Sequence, residues 1–205
     1  MTSPPSLPLH TGRLLLRAYA TGDVEATLAY YGDPQVSRFL LSEPFALDDA
    51  KAAVDRRLGQ THPTEPGDAL ALVVEHEGRL VGDLVLQLLG EQSSMGEIGW
   101  CFHPAYAGRG FATEAAVALL HLAFEHYKMH RVKAQMDARN TGSARLCERL
   151  GMTKEAHLRQ DWWSKGEWTD TFVYAVLAAE WKCVEQPTLA RPQGRCDLHV
   201  SIGDR

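Results

Sequence analysis

The stretch "AYAGRGFATEAA", Ala105 to Ala116, constrains this chain more than any other: two glycines flank an arginine, and a run of helix-forming residues follows at once. A glycine loop lets backbone approach a ligand closely, because no side chain keeps the ligand away. A helix entering there adds exposed N–H groups and the positive end of its dipole, which together favour an anion such as phosphate. An ordinary glycine turn before an ordinary helix would read the same way. The order of the surrounding elements has to decide.

Before the loop, "GRLLLRAY" reads as a buried strand, and "TGDVEATLAYYGDP" as a helix with Asp23 as N-cap and Pro34 just beyond its end. "LDDAKAAVDRRLG" is a second helical pattern closed by Gly59, followed by the loop "QTHPTEPG". The apolar runs "ALALVVE" and "RLVGDLVLQLL" flank "HEG", a hairpin signal, and "GEIGWCF" extends them to a three-stranded meander. After Gly110, "FATEAAVALLHLAFEHY" carries apolar residues at helical spacing. "RVKAQMD" then reads as a strand, "NTGSARLCERLG" as a short helix ending at Gly151, and "MTKEAHLRQDWW" with "WTDTFVYAVLAAEW" as two strands around "SKGE". Past Trp181 no period is visible, so residues 182–205 are expected to be an extension, mobile or laid over the surface, and not a second domain.

At 205 residues, 45% apolar and 23% charged, the chain suits one globular domain. A net charge of −5 gives no basic excess for nucleic-acid phosphates. The start "MTSPPSLPLHTGR" has no signal-peptide pattern, and no apolar run reaches the roughly 18 residues a membrane span needs, so the cytoplasm is expected. Cys101, Cys147, Cys183 and Cys196 form no C-x-x-C pair, which favours reduced thiols over disulfides or zinc. His121, His126 and His130 lack metal-ligand spacing, and no metal is expected. Trp162, Trp163 and Trp168 flank the last turn, either packing on strands or lining a cleft.

This order of elements, with "GEIGWCFHPAYAGRGFATEA", "ARNTGSARLCERLGM" and "YAVLAAEW" at their spacing, resembles the GNAT acetyltransferase superfamily, and within it the RimJ/RimL-type branch that acetylates protein N-termini. The resemblance runs from "TGRLLLR" to "YAVLAAEW" and implies an α/β (α+β) fold over residues 1–181, with a mixed, partly splayed sheet of about seven strands flanked by helices. It implies acetyl-CoA as co-substrate, wrapped at its pyrophosphate by the turn from Ala107 to Thr113. The family's Gln/Arg-x-x-Gly-x-Gly/Ala signature falls on Ala107, Gly108, Arg109, Gly110, Phe111 and Ala112, departing only at Ala107. It assigns Asn140 to the pantetheine arm, although Asn140 also suits a helix cap, and Arg149 to the adenosine phosphate, although a cation suits that helix end equally.

Similar enzymes place a carboxylate where Glu97 stands, making it the candidate general base; an exposed strand glutamate is the alternative. A backbone N–H near Cys101 and Phe102 is expected to meet the oxyanion. Many relatives have a tyrosine for the leaving thiol seven residues after the asparagine, where this chain has Cys147; Ser143, one turn earlier on the same face, ranks above it. The expected acceptor is a peptide or protein N-terminus, because an α-amine of pKa near 8 is more easily neutral than a lysine of pKa near 10.4. A small-molecule acetyltransferase acting on a polyamine, amino sugar or drug, and a non-catalytic acyl-CoA-binding protein, are the rivals. A homodimer is left open.

Overall fold

In a computed structural model of the chain, residues 3–90 and 94–181 are described; the expected extension at 182–205 lies outside them. The sheet is built from β1 (Leu9–His10), β2 (Leu15–Ala18), β3 (Ala69–His76), β4 (Arg79–Leu89), β5 (Met95–Phe102), β6 (Arg131–Asp137), β7 (Thr153–Ser164) and β8 (Glu167–Leu177). Its order is β1-β2-β3-β4-β5-β6-β8-β7. The expected mixed sheet with flanking helices is thus present, with an eighth strand from the two-residue β1, too short to leave a periodic signal.

β3 shows why this sheet sits between helices. Its apolar run is buried on both faces, as a central strand covered on two sides must be. Leu70, Leu72 and Val74 join the main core with α4 (Phe111–His121) and α5 (Thr141–Arg149), whereas Ala71 and Val73 meet Val54 of α3 (Leu47–Leu58) and Tyr19. α1 (Val24–Tyr31) covers that second face as well, through Tyr30 and Tyr31 against Cys101. A short α2 (Pro34–Ser37), absent from the sequence reading, follows with Asp33 as its cap.

Two expectations need correction. Asp23 does not cap α1: its carboxylate turns back to accept from the Ala20 N–H and is held by Arg17. The long helix also changes character, since α4 ends at His121 and Leu122–His126 forms a π turn closed by the Tyr127 N–H on the Leu122 carbonyl.

The feature that places the site is an incomplete pairing. β5 pairs antiparallel with β4 along its whole length, and β6 pairs likewise with β8. Between β5 and β6 the parallel ladder covers only Met95–Glu97 against Arg131–Lys133. Beyond that point the sheet opens as a wedge. The β7–β8 hairpin bends over one side of it, and Lys165 at its turn donates to the carbonyl of Ser37.

Candidate active site

The wedge forms a cavity of about 560 Å³, a size suited to a small ligand. Glu97, Trp100, Asn140 and Ser143 line it together, so the structure brings the proposed base and the proposed thiol partner to one space. Glu97 stands at the last position where β5 pairs with β6. Lys133 and Gln135 both reach its Oε2, at 3.1 Å each, and its Oε1 has no partner among the described residues. That leaves one carboxylate oxygen free to accept a proton.

Strand alternation decides which amides face the wedge. The Ser94 carbonyl accepts from the His130 and Arg131 N–H groups at the start of β6 and the His103 N–H bonds to Val81 on the β4 side, so the even-numbered backbone groups of β5 point into the opening. Trp100 and Phe102 therefore offer N–H groups there. Cys101 does not: its amide faces β4, and its thiol is buried beside Tyr31 on the α1 face, where burial pushes its pKa well up. The expectation for Cys101 is corrected on that ground.

Asn140 caps α5, its Oδ1 accepting from the Ser143 N–H at 3.0 Å, and it lines the cavity as well. Ser143 Oγ accepts from the Trp100 indole N–H at 3.1 Å, a bond that crosses the wedge and leaves the hydroxyl proton free to be donated. Cys147 is fully buried in the main core, and burial raises its thiol pKa to about 12. It does not line the cavity, so its assignment as thiol partner is withdrawn: one turn along α5 moves a side chain from the wedge into the core.

The glycine loop has the geometry its letters demand. Gly110, the N-cap of α4, has φ of 80°, a left-handed conformation in which a Cβ is strained. Gly108 has φ of 74°, and a Cβ there would meet open space. The first intrahelical bond runs from the Glu114 N–H to the Gly110 carbonyl at 3.0 Å, so the amides of Phe111, Ala112 and Thr113 have no helical acceptor. Phe111 can offer only its backbone, because its ring is buried. The Arg109 guanidinium lies 4.9 Å from the centre of that ring, and Arg149 Nε donates to Thr113 Oγ1 at 3.2 Å. Two cations therefore stand beside three amides that have no acceptor among the described residues.

Two side-chain clusters, each closed around a buried carboxylate, escaped the sequence reading. At the loop, Glu114 accepts from Thr11 Oγ1 at 2.6 Å and from the Arg13 N–H and Nε at 2.8 Å each, while Arg13 Nη1 donates to the Arg109 carbonyl at 3.0 Å. Burial pushes Glu114 up, but these hydrogen bonds outweigh it and hold the carboxyl below its ordinary value. On the α1–α3 face, Asp83 accepts from the hydroxyls of Tyr19, Tyr30 and Tyr31 and from Arg57, which also donates to Tyr19 and Tyr31. Burial raises all three phenols, so they stay protonated donors. Tyr31, Arg57 and Asp83 form part of the cavity wall. One signal was present: Asp83 is a lone acid inside the apolar run "RLVGDLVLQLL".

Residues 13–153 match the acetyltransferase (GNAT) domain family. The uncharacterized N-acetyltransferase YnaD of Bacillus subtilis is 33% identical over 172 residues, which are 83% of this chain and 97% of that protein. The crystal structure of a GNAT-family acetyltransferase from Bacillus anthracis superposes with a TM-score of 0.77 at 30% identity, covering 85% of this chain and all of that one. Two more distant structures share the fold. Spermidine N-acetyltransferase from Vibrio cholerae, in complex with CoA and spermine, has a TM-score of 0.70 at 20% identity, covering 83% of this chain and 98% of its own. Mycobacterium smegmatis RimJ, in complex with CoA-disulfide, has a TM-score of 0.72 at 21% identity, covering 82% and 83%. With the family matched over most of the chain and a relative aligned over nearly its whole length, the protein belongs to the GNAT family and is an N-acetyltransferase.

Proposed function

We propose that the protein transfers the acetyl group of acetyl-CoA directly to a primary amine in a ternary complex, and that the amine is the N-terminus of a peptide or protein. The observation carrying this reading is the opening of β5 from β6 just beyond Glu97, which gathers a free carboxylate oxygen, strand amides and the Ser143 hydroxyl around one cavity. The residues fit acetyl-CoA: unpaired amides at the start of α4, Gly108 with open space where a side chain would stand, and Arg109 and Arg149 nearby suit a pyrophosphate. Acetyl-CoA supplies the activated acyl group. The chain itself binds, orients and moves protons.

In this reading Glu97 Oε1 takes the proton of the amine, directly or through water. The Trp100 and Phe102 amides, fixed in direction by the β4 ladder, donate to the oxygen on which charge develops. Ser143 keeps its proton and donates a hydrogen bond to the departing sulfur; a thiol of pKa about 8.5 leaves readily as the thiolate, which then takes up a proton from solvent. Arg57, Asp83 and the tyrosines hold the wall beside the base in one conformation. Cys101 and Cys147 are free thiols, in keeping with a cytoplasmic enzyme.

The acceptor assignment rests on proton chemistry. At neutral pH about one α-amine in ten is neutral, against fewer than one lysine in a thousand, and Glu97 has only one oxygen without a partner. The RimJ neighbour belongs by name to the branch expected from sequence, while the spermidine enzyme shows that the same fold also serves a small polyamine. Thiol release and product mass, followed with peptides bearing free or blocked N-termini alongside polyamines and amino sugars, test the reading. Turnover is expected on free-N-terminus peptides, and turnover confined to small amines would replace this acceptor with the rival class.

A further inference from the structure

Glu114 poses an electrostatic problem that the structure answers. It sits in the first turn of α4, the helix whose start presents unpaired amides, and a carboxylate there competes with any bound anion for the same positive field. Its side chain is only 4% exposed, so water does little to screen it. Arg13 covers it with Nη2 at 2.7 Å from Oε2, Nε on the same oxygen and the backbone N–H on Oε1. The pair is neutral, and Arg109 and Arg149 remain as net positive charge beside the loop.

Arg13 also acts on the loop's shape. Its Nη1 donates to the Arg109 carbonyl at 3.0 Å. In a planar trans peptide the N–H of the next residue points opposite to that carbonyl, so this bond aims the Gly110 N–H away from Arg13. Arg13 Nη2 lies 3.4 Å from where a Gly110 Cβ would stand, so the same side chain closes the inner side of the turn.

We propose that Arg13 is a positioning residue for the phosphate end of acetyl-CoA: it cancels the charge of Glu114 and holds the Arg109–Gly110 peptide with its N–H toward the ligand. The proposal rests on the acetyl-CoA reading above and adds to it a residue nearly a hundred positions away from the loop.

Calorimetric titration of CoA into the wild type and the variants Arg13→Met, Arg13→Lys, Glu114→Gln and Arg13→Met/Glu114→Gln tests it, with thermal melts reporting the fold. Arg13→Met should weaken CoA binding about tenfold or more, whereas Glu114→Gln should bind as tightly as the wild type or more tightly. The double variant should regain part of the loss, because the uncompensated carboxylate is gone while the hold on Arg109 is still missing. In steady state, KM for acetyl-CoA should rise in Arg13→Met and KM for the acceptor should not, a split that a general loosening of the fold would not give. Arg13→Lys, which keeps the charge without the guanidinium's reach to Arg109, should weaken CoA to an intermediate degree, and it decides the matter if Arg13→Met does not fold. An unchanged CoA affinity in a folded Arg13 variant overturns the proposal. So does a loss in Glu114→Gln equal to that in Arg13→Met, which would make the pair a clamp of the fold alone. A wild-type protein that binds no CoA would overturn the acetyl-CoA reading itself, and this inference with it.

Discussion

The pairs Arg13–Glu114, beside the glycine loop, and Arg57–Asp83, in the cavity wall, join the same two chemical groups, and they differ in how much water reaches the cation. The Arg13 side chain is 41% exposed and that of Arg57 is 10%, while both carboxylates are nearly sealed. Where the guanidinium is wet, its loss can be partly compensated by solvent. Where it is dry, either partner left alone is a buried charge without a counterion. The inner pair is therefore bound up with folding, and the outer pair is free to shape the glycine loop.

The strongest way to break this comparison is to remove one member of each pair and measure urea unfolding. Asp83→Asn, which strands Arg57 among three phenols, should cost about 3–5 kcal/mol. Arg13→Met should cost only about 1–3 kcal/mol, the scale of leaving a buried acceptor partly unsatisfied. Equal losses would show that exposure of the arginine does not set the difference.

Next in size is Glu97→Gln, which should lower the acetylation rate by roughly a hundredfold or more near neutral pH and by less at high pH, where the amine is already deprotonated. A loss that is absent, or constant across pH, would remove Glu97 as proton acceptor.

The shape of the glycine loop was largely legible in sequence because a tight loop made of backbone needs glycines at fixed spacing. Gly108 and Gly110 carry that demand on their own, and the helix after them is a local pattern. The opening of the sheet was legible only through family resemblance, since it depends on β5 and β6 parting after three residue pairs. The Asp83 cluster was not legible as a unit: Tyr19, Tyr30, Tyr31, Arg57 and Asp83 come from separate elements, and folding alone brings them together. Cys147 and Ser143 show the same limit at finer scale. A shared helical face was correctly expected, but which end of it enters the wedge depends on how α5 packs.

A smaller effect is expected in acid. Glu114 has its folded pKa held below the unfolded value, so the stability it contributes is fully present above about pH 4.3 and is lost as the pH falls through the lowered value. Denaturation measured from about pH 6 downward, through the carboxylate range, should therefore show a shallower acid decline in Glu114→Gln than in the wild type. Parallel curves would mean that the outer pair adds nothing to folding.

The smallest differences separate the two ends of one helix face. Cys147→Ala should cost about 1 kcal/mol of stability and leave the rate unchanged, as removal of a small buried group does. Ser143→Ala should lower the rate several-fold, the equivalent of one hydrogen bond of about 1 kcal/mol, with little effect on stability. A reversed pattern would return the thiol-partner role to Cys147.

The central claim is that the backbone of the glycine loop holds the co-substrate while Glu97 handles the acceptor's proton. The most direct test is CoA titration by calorimetry into folded Gly110→Val beside Glu97→Gln. The side chain in Gly110→Val is placed in a left-handed conformation and presses toward Arg13, so that variant should give no measurable CoA binding, whereas Glu97→Gln should bind CoA as the wild type does. Wild-type CoA affinity in a folded Gly110→Val protein would contradict the account.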